Sequence, residues 1–294
     1  MVRKILMGVA IATSLATIAS AQTADELVAK YIQAKGGMEK IKACQTSRVT
    51  GKMVMAQGME APFSRMAKRP NQTRMEFTIQ GMTGIQAYDG QHGWTMMPFM
   101  GSKDPQAMSE AENKLMAEEA EFDGPLVDYK SKGTTVELVG KEQVEGADAY
   151  KLKLTKKSGD VSYHYLDAET YLEIKSEAKR TMRGTEFDGE STMGDFKEVN
   201  GMMFPFSIES GMKGNPQKRK ILIDKIEINP DLADSLFALP PGTKPAGGDT
   251  TVSAGKAAHD SASARSTKAK TTAKKTVKKA TATPKKATAT TKNP

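Results

Sequence analysis

The chain has 294 residues, with 43 Lys+Arg against 35 Asp+Glu, a formal net charge of +8, a single Cys and only 6% aromatic residues. This composition excludes a collagen-like chain, a disulfide-stapled chain and a membrane bundle. The charge is uneven, +2 over residues 1–21, −4 over 22–242 and +10 over 243–294, so a nucleic-acid reading of the overall basicity would apply to the C-terminal segment alone.

In chain order, Arg3 and Lys4 precede an apolar run from Ile5 to Ile18, and Ala19-Ser20-Ala21 supplies the small side chains that a signal peptidase reads. Residues 1–21 are expected to be an export signal cleaved after Ala21, because the run is too short for a spanning helix. The mature protein is then periplasmic. Cys44 stands alone, so no internal disulfide is expected, and its place beside a helix end suggests a small buried thiol rather than a nucleophile.

Residues 22–242 are long enough for one substantial core. Thr23 and Glu26 have capping-box spacing, and Leu27, Val28, Tyr31 and Ile32 form a helical stripe that Gly36-Gly37 stops. From Thr46 the period becomes two. Val49, Met53 and Met55 alternate with Arg48, Thr50 and Lys52, and Met75, Phe77 and Ile79 alternate with Arg74, Glu76 and Thr78. A second capping box, Ser109 with Glu112, opens a helix with Met108, Ala111 and Leu115 on one side. The acidic end of that helix, Glu118-Glu119-Ala120-Glu121, opposes the helix dipole and is expected to fray or to be held by tertiary contacts.

The second half has the pattern of successive hairpins. Tyr150, Leu152 and Leu154 are followed by Val161, Tyr163 and Tyr165, then by Leu172 and Ile174. Turns are marked at Ser158-Gly159, Glu145-Gly146, Arg183-Gly184 and Asn200-Gly201. The predicted fold is mainly β (α+β), a large antiparallel meander with its two helical segments on one apolar face.

Residues 243–294 hold 11 Lys, 12 Thr and 12 Ala with no aromatic side chain, too little apolar surface to offset the cost of ordering the backbone. This segment is expected to be a disordered basic tail. Its paired lysines, Lys274-Lys275, Lys278-Lys279 and Lys285-Lys286, resemble those of linker-histone tails in composition, but behind an export signal they point to anionic envelope polymers instead of nucleic acid.

No catalytic constellation, metal-ligand spacing or nucleotide fingerprint is visible, and the three His are far apart at 92, 164 and 259. No cofactor, metal or enzymatic activity is predicted. Methionine is abundant: 19 in all, with eleven between Met53 and Met116. Beside ordinary core packing, flexible thioethers suit a pocket for varied apolar ligands, and Met53 with Met55, or Met96-Met97 with Met100, offers soft ligands for Cu(I).

Several segments resemble the LolA-like superfamily of outer-membrane lipoprotein-sorting proteins. They are Ala24-Asp25-Glu26-Leu27-Val28 with Gly36-Gly37, Ala87-Tyr88-Asp89-Gly90-Gln91-His92-Gly93-Trp94, and Phe122-Asp123-Gly124-Pro125-Leu126-Val127-Asp128-Tyr129. Met203-Phe204-Pro205-Phe206 and Asn229-Pro230-Asp231 with Asp234-Ser235-Leu236-Phe237 complete the set. The resemblance implies an open antiparallel half-barrel whose concave apolar face is covered by helices and receives lipid or lipoprotein acyl chains. It also implies a monomeric carrier or sensor that works by binding alone, exchanging cargo with membrane-bound donor and acceptor proteins or opening a lid. The candidate lining residues are Met53, Met55, Met75, Phe77 and Ile79, with Tyr88 and Trp94 near a rim or turn. A rival expectation is an envelope-associated structural or adhesive protein acting through its basic tail.

Overall fold

A computed structural model of the chain describes residues 22–55, 58–182 and 185–246. The export signal, the Arg183-Gly184 turn and the tail lysines lie outside these described residues. Thr23 caps helix α1 (Ala24–Ala34) with a reciprocal Glu26 bond, and α2 (Met38–Ala43) follows Gly36-Gly37. Six strands come next: β1 (Thr46–Val54), β2 (Glu60–Lys68), β3 (Gln72–Ile79), β4 (Met82–Tyr88), β5 (Gly93–Met97) and β6 (Ser102–Ala107). Helix α3 (Glu110–Glu119) carries the second capping box. Seven more strands complete the body: β7 (Thr135–Val144), β8 (Ala147–Thr155), β9 (Val161–Asp167), β10 (Glu173–Met182), β11 (Thr185–Val199), β12 (Met202–Met212) and β13 (Arg219–Ile228).

All thirteen strands form one antiparallel sheet in the order β6-β5-β4-β3-β2-β1-β13-β12-β11-β10-β9-β8-β7. Two hairpin meanders are therefore joined only where β1 meets β13, and the sheet stays open, an antiparallel half-barrel with helices on its concave apolar face. Because β6 and β7 are the two edges, the chain between them must travel from one flank to the other. Helix α3 and residues 120–134 make that crossing.

Side-chain alternation divides the sheet into two faces. The pairings Gly51↔Phe63, Phe63↔Phe77 and Met53↔Ile221 place these residues on one face, and Ile208↔Ile221 carries that face into β12. All three helices pack on this inner face. Leu27, Val28 and Tyr31 of α1 bury against Tyr150, Leu152, Leu154 and Leu166. Ile41 of α2 and Cys44 pack with Val127 and Met202, and Met116 of α3, with Met108 and Ala120, packs on Tyr88.

One detail of α3 differs from the sequence expectation. Leu115 is exposed, and the buried side chains are Met108, Met116 and Ala120. The helix is rotated so that its small and unbranched residues fit beneath Tyr88, and its low hydrophobic content left the facing side ambiguous. Its acidic end is held by tertiary contacts: Lys156 pairs with Glu118 at 3.0 Å, and Lys132 pairs with Glu121.

Part of the outer face is covered. The segment after β13 packs Leu232 and Phe237 on Met66, and Trp94 Nε1 donates to the Phe237 carbonyl at 3.1 Å. The chain then reaches the edge strand, where the Lys244 backbone pairs with β6 on both sides of Gln106. Among the described residues no helix is long and apolar enough to cross a membrane.

Candidate acyl-binding face

The inner face has an apolar half and a polar half. The apolar half lies on β13, β1, β2 and β3, where Met53, Ala61 and Phe63 form a core ringed by Val49, Met55, Met75, Phe77, Ile79, Ile221 and Ile223. No helix residue belongs to this cluster, and most of its rim is only half-buried. The Phe77 ring meets Phe99 at a centroid distance of 5.5 Å. Strand alternation is the cause: hydrophobic residues at every second position of β1 and β3 all face inward, while Arg48, Lys52, Arg74 and Glu76 face outward.

Five of the seven residues singled out from the sequence, Met53, Met55, Met75, Phe77 and Ile79, thus come together in one cluster. Tyr88 shares their face but is buried beneath α3. Trp94 does not join them. It pairs with Ala87, which pairs with Arg74, and this register sets it on the outer face beneath Phe237. The Arg74 guanidinium lies 5.4 Å from its ring centre. Met100 is exposed and apart from the cluster.

Several motif residues behind the family resemblance have structural work. Asp89 accepts from the backbone N–H groups of Gln91 and His92 and so closes the β4–β5 turn. Asn229 accepts from the N–H of Gln45 at 2.7 Å where α2 passes into β1. Asp123 anchors the crossing segment. Arg69 reaches its two oxygens at 2.5 and 2.8 Å and also donates to the carbonyls of Ile41 and Cys44, while Lys42 adds a third contact at 2.8 Å. Burial alone would raise the Asp123 carboxyl, but the bonds from Arg69 and Lys42 outweigh it and hold it at about 2. Burial pushes the Cys44 thiol up, away from nucleophilic character.

A second anchor of the crossing segment is Arg65, an inward-facing β2 residue whose guanidinium donates to the Glu119 carbonyl at the end of α3 at 3.3 Å. Burial lowers its pKa against the opposing pull of the Glu119 charge. Behind α3 lies an open cleft of about 540 Å³, lined by Lys114, Glu118, Lys132, Lys156 and Lys157 among others. Its charged walls set it apart from the apolar cluster.

The polar half of the inner face occupies β9 to β12, with Ser162, His164, Ser176, Ser191 and Ser210 in register. Here the structure joins three residues that sequence inspection passed over. Ser162 Oγ lies 3.0 Å from His164 Nε2, and His164 Nδ1 lies 2.6 Å from Glu173 Oε1. The spacing of Ser162 and His164 on one strand was a usable signal. The place of Glu173 was not, because it depends on a bulge. Leu166 pairs with Glu173 and Tyr165 with Lys175, so Ile174 is the extra residue that brings Glu173 round to the face of His164.

No protein-family model matches the chain, and no curated protein matches it. Solved structures do. A DUF1329 family protein from Desulfovibrio piger is similar with a TM-score of 0.52 and 13% identity, over 73% of this chain and 97% of that one. The two chains share a fold. A LolA superfamily protein from Nitrosomonas europaea aligns at 16% identity and a TM-score of 0.49, over 74% of this chain and 99% of that one. A putative outer membrane lipoprotein-sorting protein domain from Vibrio parahaemolyticus aligns at 14% identity and a TM-score of 0.47, over 71% of this chain and 97% of that one.

Proposed function

We propose that this chain is a periplasmic carrier or sensor that holds lipid or lipoprotein acyl chains against the inner face of its half-barrel, in the service of outer-membrane lipoprotein sorting. The observation that carries this reading is the apolar cluster around Met53, Phe63 and Phe77, turned inward with no helix residue among its members. Each methylene removed from water there contributes about 0.8 kcal/mol, and unbranched thioethers adapt to chains of different shape. The open sheet admits a ligand from the side, and the α3 crossing gives it a cover pinned by Arg65 and Arg69. Loosening those pins offers a route to release by a shift between covered and uncovered states. The fold shared with the DUF1329 protein and the sequence motifs resembling the LolA-like superfamily support the same reading; nothing in the described residues favours the adhesive-tail or copper alternatives.

The test is native mass spectrometry with lipid extraction on the mature chain purified from an expressing cell envelope. An acylated species is expected to copurify and to be lost in Phe77→Asp, which keeps its circular-dichroism signal. It is also expected to survive removal of residues 247–294. A protein that stays unliganded after mixing with envelope lipids refutes the proposal.

A further inference from the structure

The geometry points to a second capacity of the inner face: Ser162, His164 and Glu173 form a nucleophilic relay that cleaves carboxylic esters of acyl chains held in the half-barrel. The choice of substrate rests on the acyl-binding reading above, whereas the reactivity of Ser162 stands on its own geometry.

The arrangement satisfies the requirements of an activated hydroxyl one by one. Glu173 can only accept while ionised, so its 2.6 Å contact fixes the proton of His164 on Nδ1. In the neutral imidazole Nε2 then carries a lone pair, and the Ser162 hydroxyl 3.0 Å away is placed to donate into it. The imidazole is held rather than free, with a side chain only 8% exposed, and Glu173 is 17% exposed. Ser162 itself is only part-buried and faces the interior of the half-barrel. The bulge at Ile174 that delivers Glu173 is a distortion of the kind that re-aims side chains beside functional sites.

The surroundings extend the polar network. Burial pushes the Tyr31 hydroxyl up and the Glu173 charge adds to this, while Lys35 is raised first by Tyr31 and then by Glu173. The apolar cluster reaches Ile208 on β12 through its pairing with Ile221, three strands from β9, or about 15 Å at the usual strand spacing. Both features share one face, so a chain resting on the first would present its ester to the second.

The chemistry balances with water as the only co-reactant. Ser162 Oγ attacks the ester carbonyl and passes its proton to His164 Nε2. Collapse of the tetrahedral adduct breaks the carbon–oxygen bond, and His164 returns that proton to the departing alcohol. A water molecule then gives a proton to Nε2, and its oxygen attacks the acyl-serine. The resulting adduct releases the carboxylic acid, and the proton on Nε2 restores the Ser162 hydroxyl.

The test uses the full mature chain. A fluorophosphonate probe is expected to label the folded protein at Ser162, located by peptide mass, and to leave the heat-unfolded protein unlabelled. Ser162→Ala removes a single oxygen and abolishes labelling. Labelling falls about 100-fold or more in His164→Gln and about 10-fold or more in Glu173→Gln. Hydrolysis of p-nitrophenyl dodecanoate is expected to exceed that of the butanoate, and Phe77→Asp removes this preference. Absence of labelling in a protein that still binds acyl chains, or labelling that persists in Ser162→Ala, overturns the relay. Labelling with neither chain-length preference nor bound lipid overturns the assigned substrate class instead.

Discussion

Acid titration of the Asp123 site offers a quantitative check on how the crossing segment is held. The Asp123 side chain is 9% exposed and shares its charge with Arg69 and Lys42, which hold its carboxyl at about 2 against an ordinary value of 3.8. That difference corresponds to about 2 kcal/mol of stability at neutral pH. A depressed carboxyl contributes fully above its unfolded value, so this stability is present above about pH 4 and is lost as the pH falls towards 2. Asp123→Asn keeps the shape and removes the titration. Urea unfolding followed by the fluorescence of Trp94, the only tryptophan, measures both proteins at pH 7 and at pH 2.5. The wild type is expected to lose about 2 kcal/mol more than the variant over that range, and the variant to be about 2–4 kcal/mol less stable at pH 7 because Arg69 loses its partner. The other depressed carboxylates, Asp25, Asp104, Asp167, Glu177 and Glu190, are common to both proteins and cancel in the difference. Equal losses in the two proteins would refute the assignment.

Two further substitutions probe the scaffold around the apolar face. At Gly51 an added Cβ would stand 2.1 Å from the Leu222 carbonyl oxygen, on the backbone where the β1–β13 register shifts, so Gly51→Ala is expected to cost about 2–3 kcal/mol by overpacking. Urea melts measure it, and an unchanged midpoint would count against the close approach of the two meanders. Arg65→Leu removes the donor to the Glu119 carbonyl and is expected to speed amide exchange in residues 116–121 by about 5-fold, near 1 kcal/mol. Protection that matches the wild type would show that the capping box and Met116 hold α3 unaided.

How much of this was legible in the sequence depended on whether the information was local. Capping boxes at Thr23 and Ser109 and the period-two runs of β1, β3, β8 and β9 are local signals, and the structure contains each of them. The inward grouping of Met53, Met55, Met75, Phe77 and Ile79 follows from alternation once two strands pair. Trp94 shows the limit. Its neighbour Gly93 faces inward and Trp94 therefore faces outward, but which parity is inward is set by strand pairing across the sheet and by the Phe237 segment far along the chain. The Ser162–His164–Glu173 group lay further from view, because one bulged residue decides the face on which Glu173 stands. The family-like motifs at Asp89, Asp123 and Asn229 were visible as patterns, but their roles in a turn, an ion pair and a cap emerge only in three dimensions.

The Lys244 pairing bears on how an unclosed sheet avoids becoming a template for its own kind. A half-barrel has two flanks with main-chain groups directed outward, and either could recruit a strand from another molecule. On the β6 flank, Lys244 donates to the Pro105 carbonyl and accepts from the Ala107 N–H, so an incoming strand would first have to displace the protein's own chain. Pro105 offers no N–H there. The β7 flank is blunted differently: a register shift between Leu138 and Gly140 breaks the straight ladder, and Glu137, Lys141 and Glu142 add charge along it. The wall can therefore stay open along its length while its rims resist stacking into fibres.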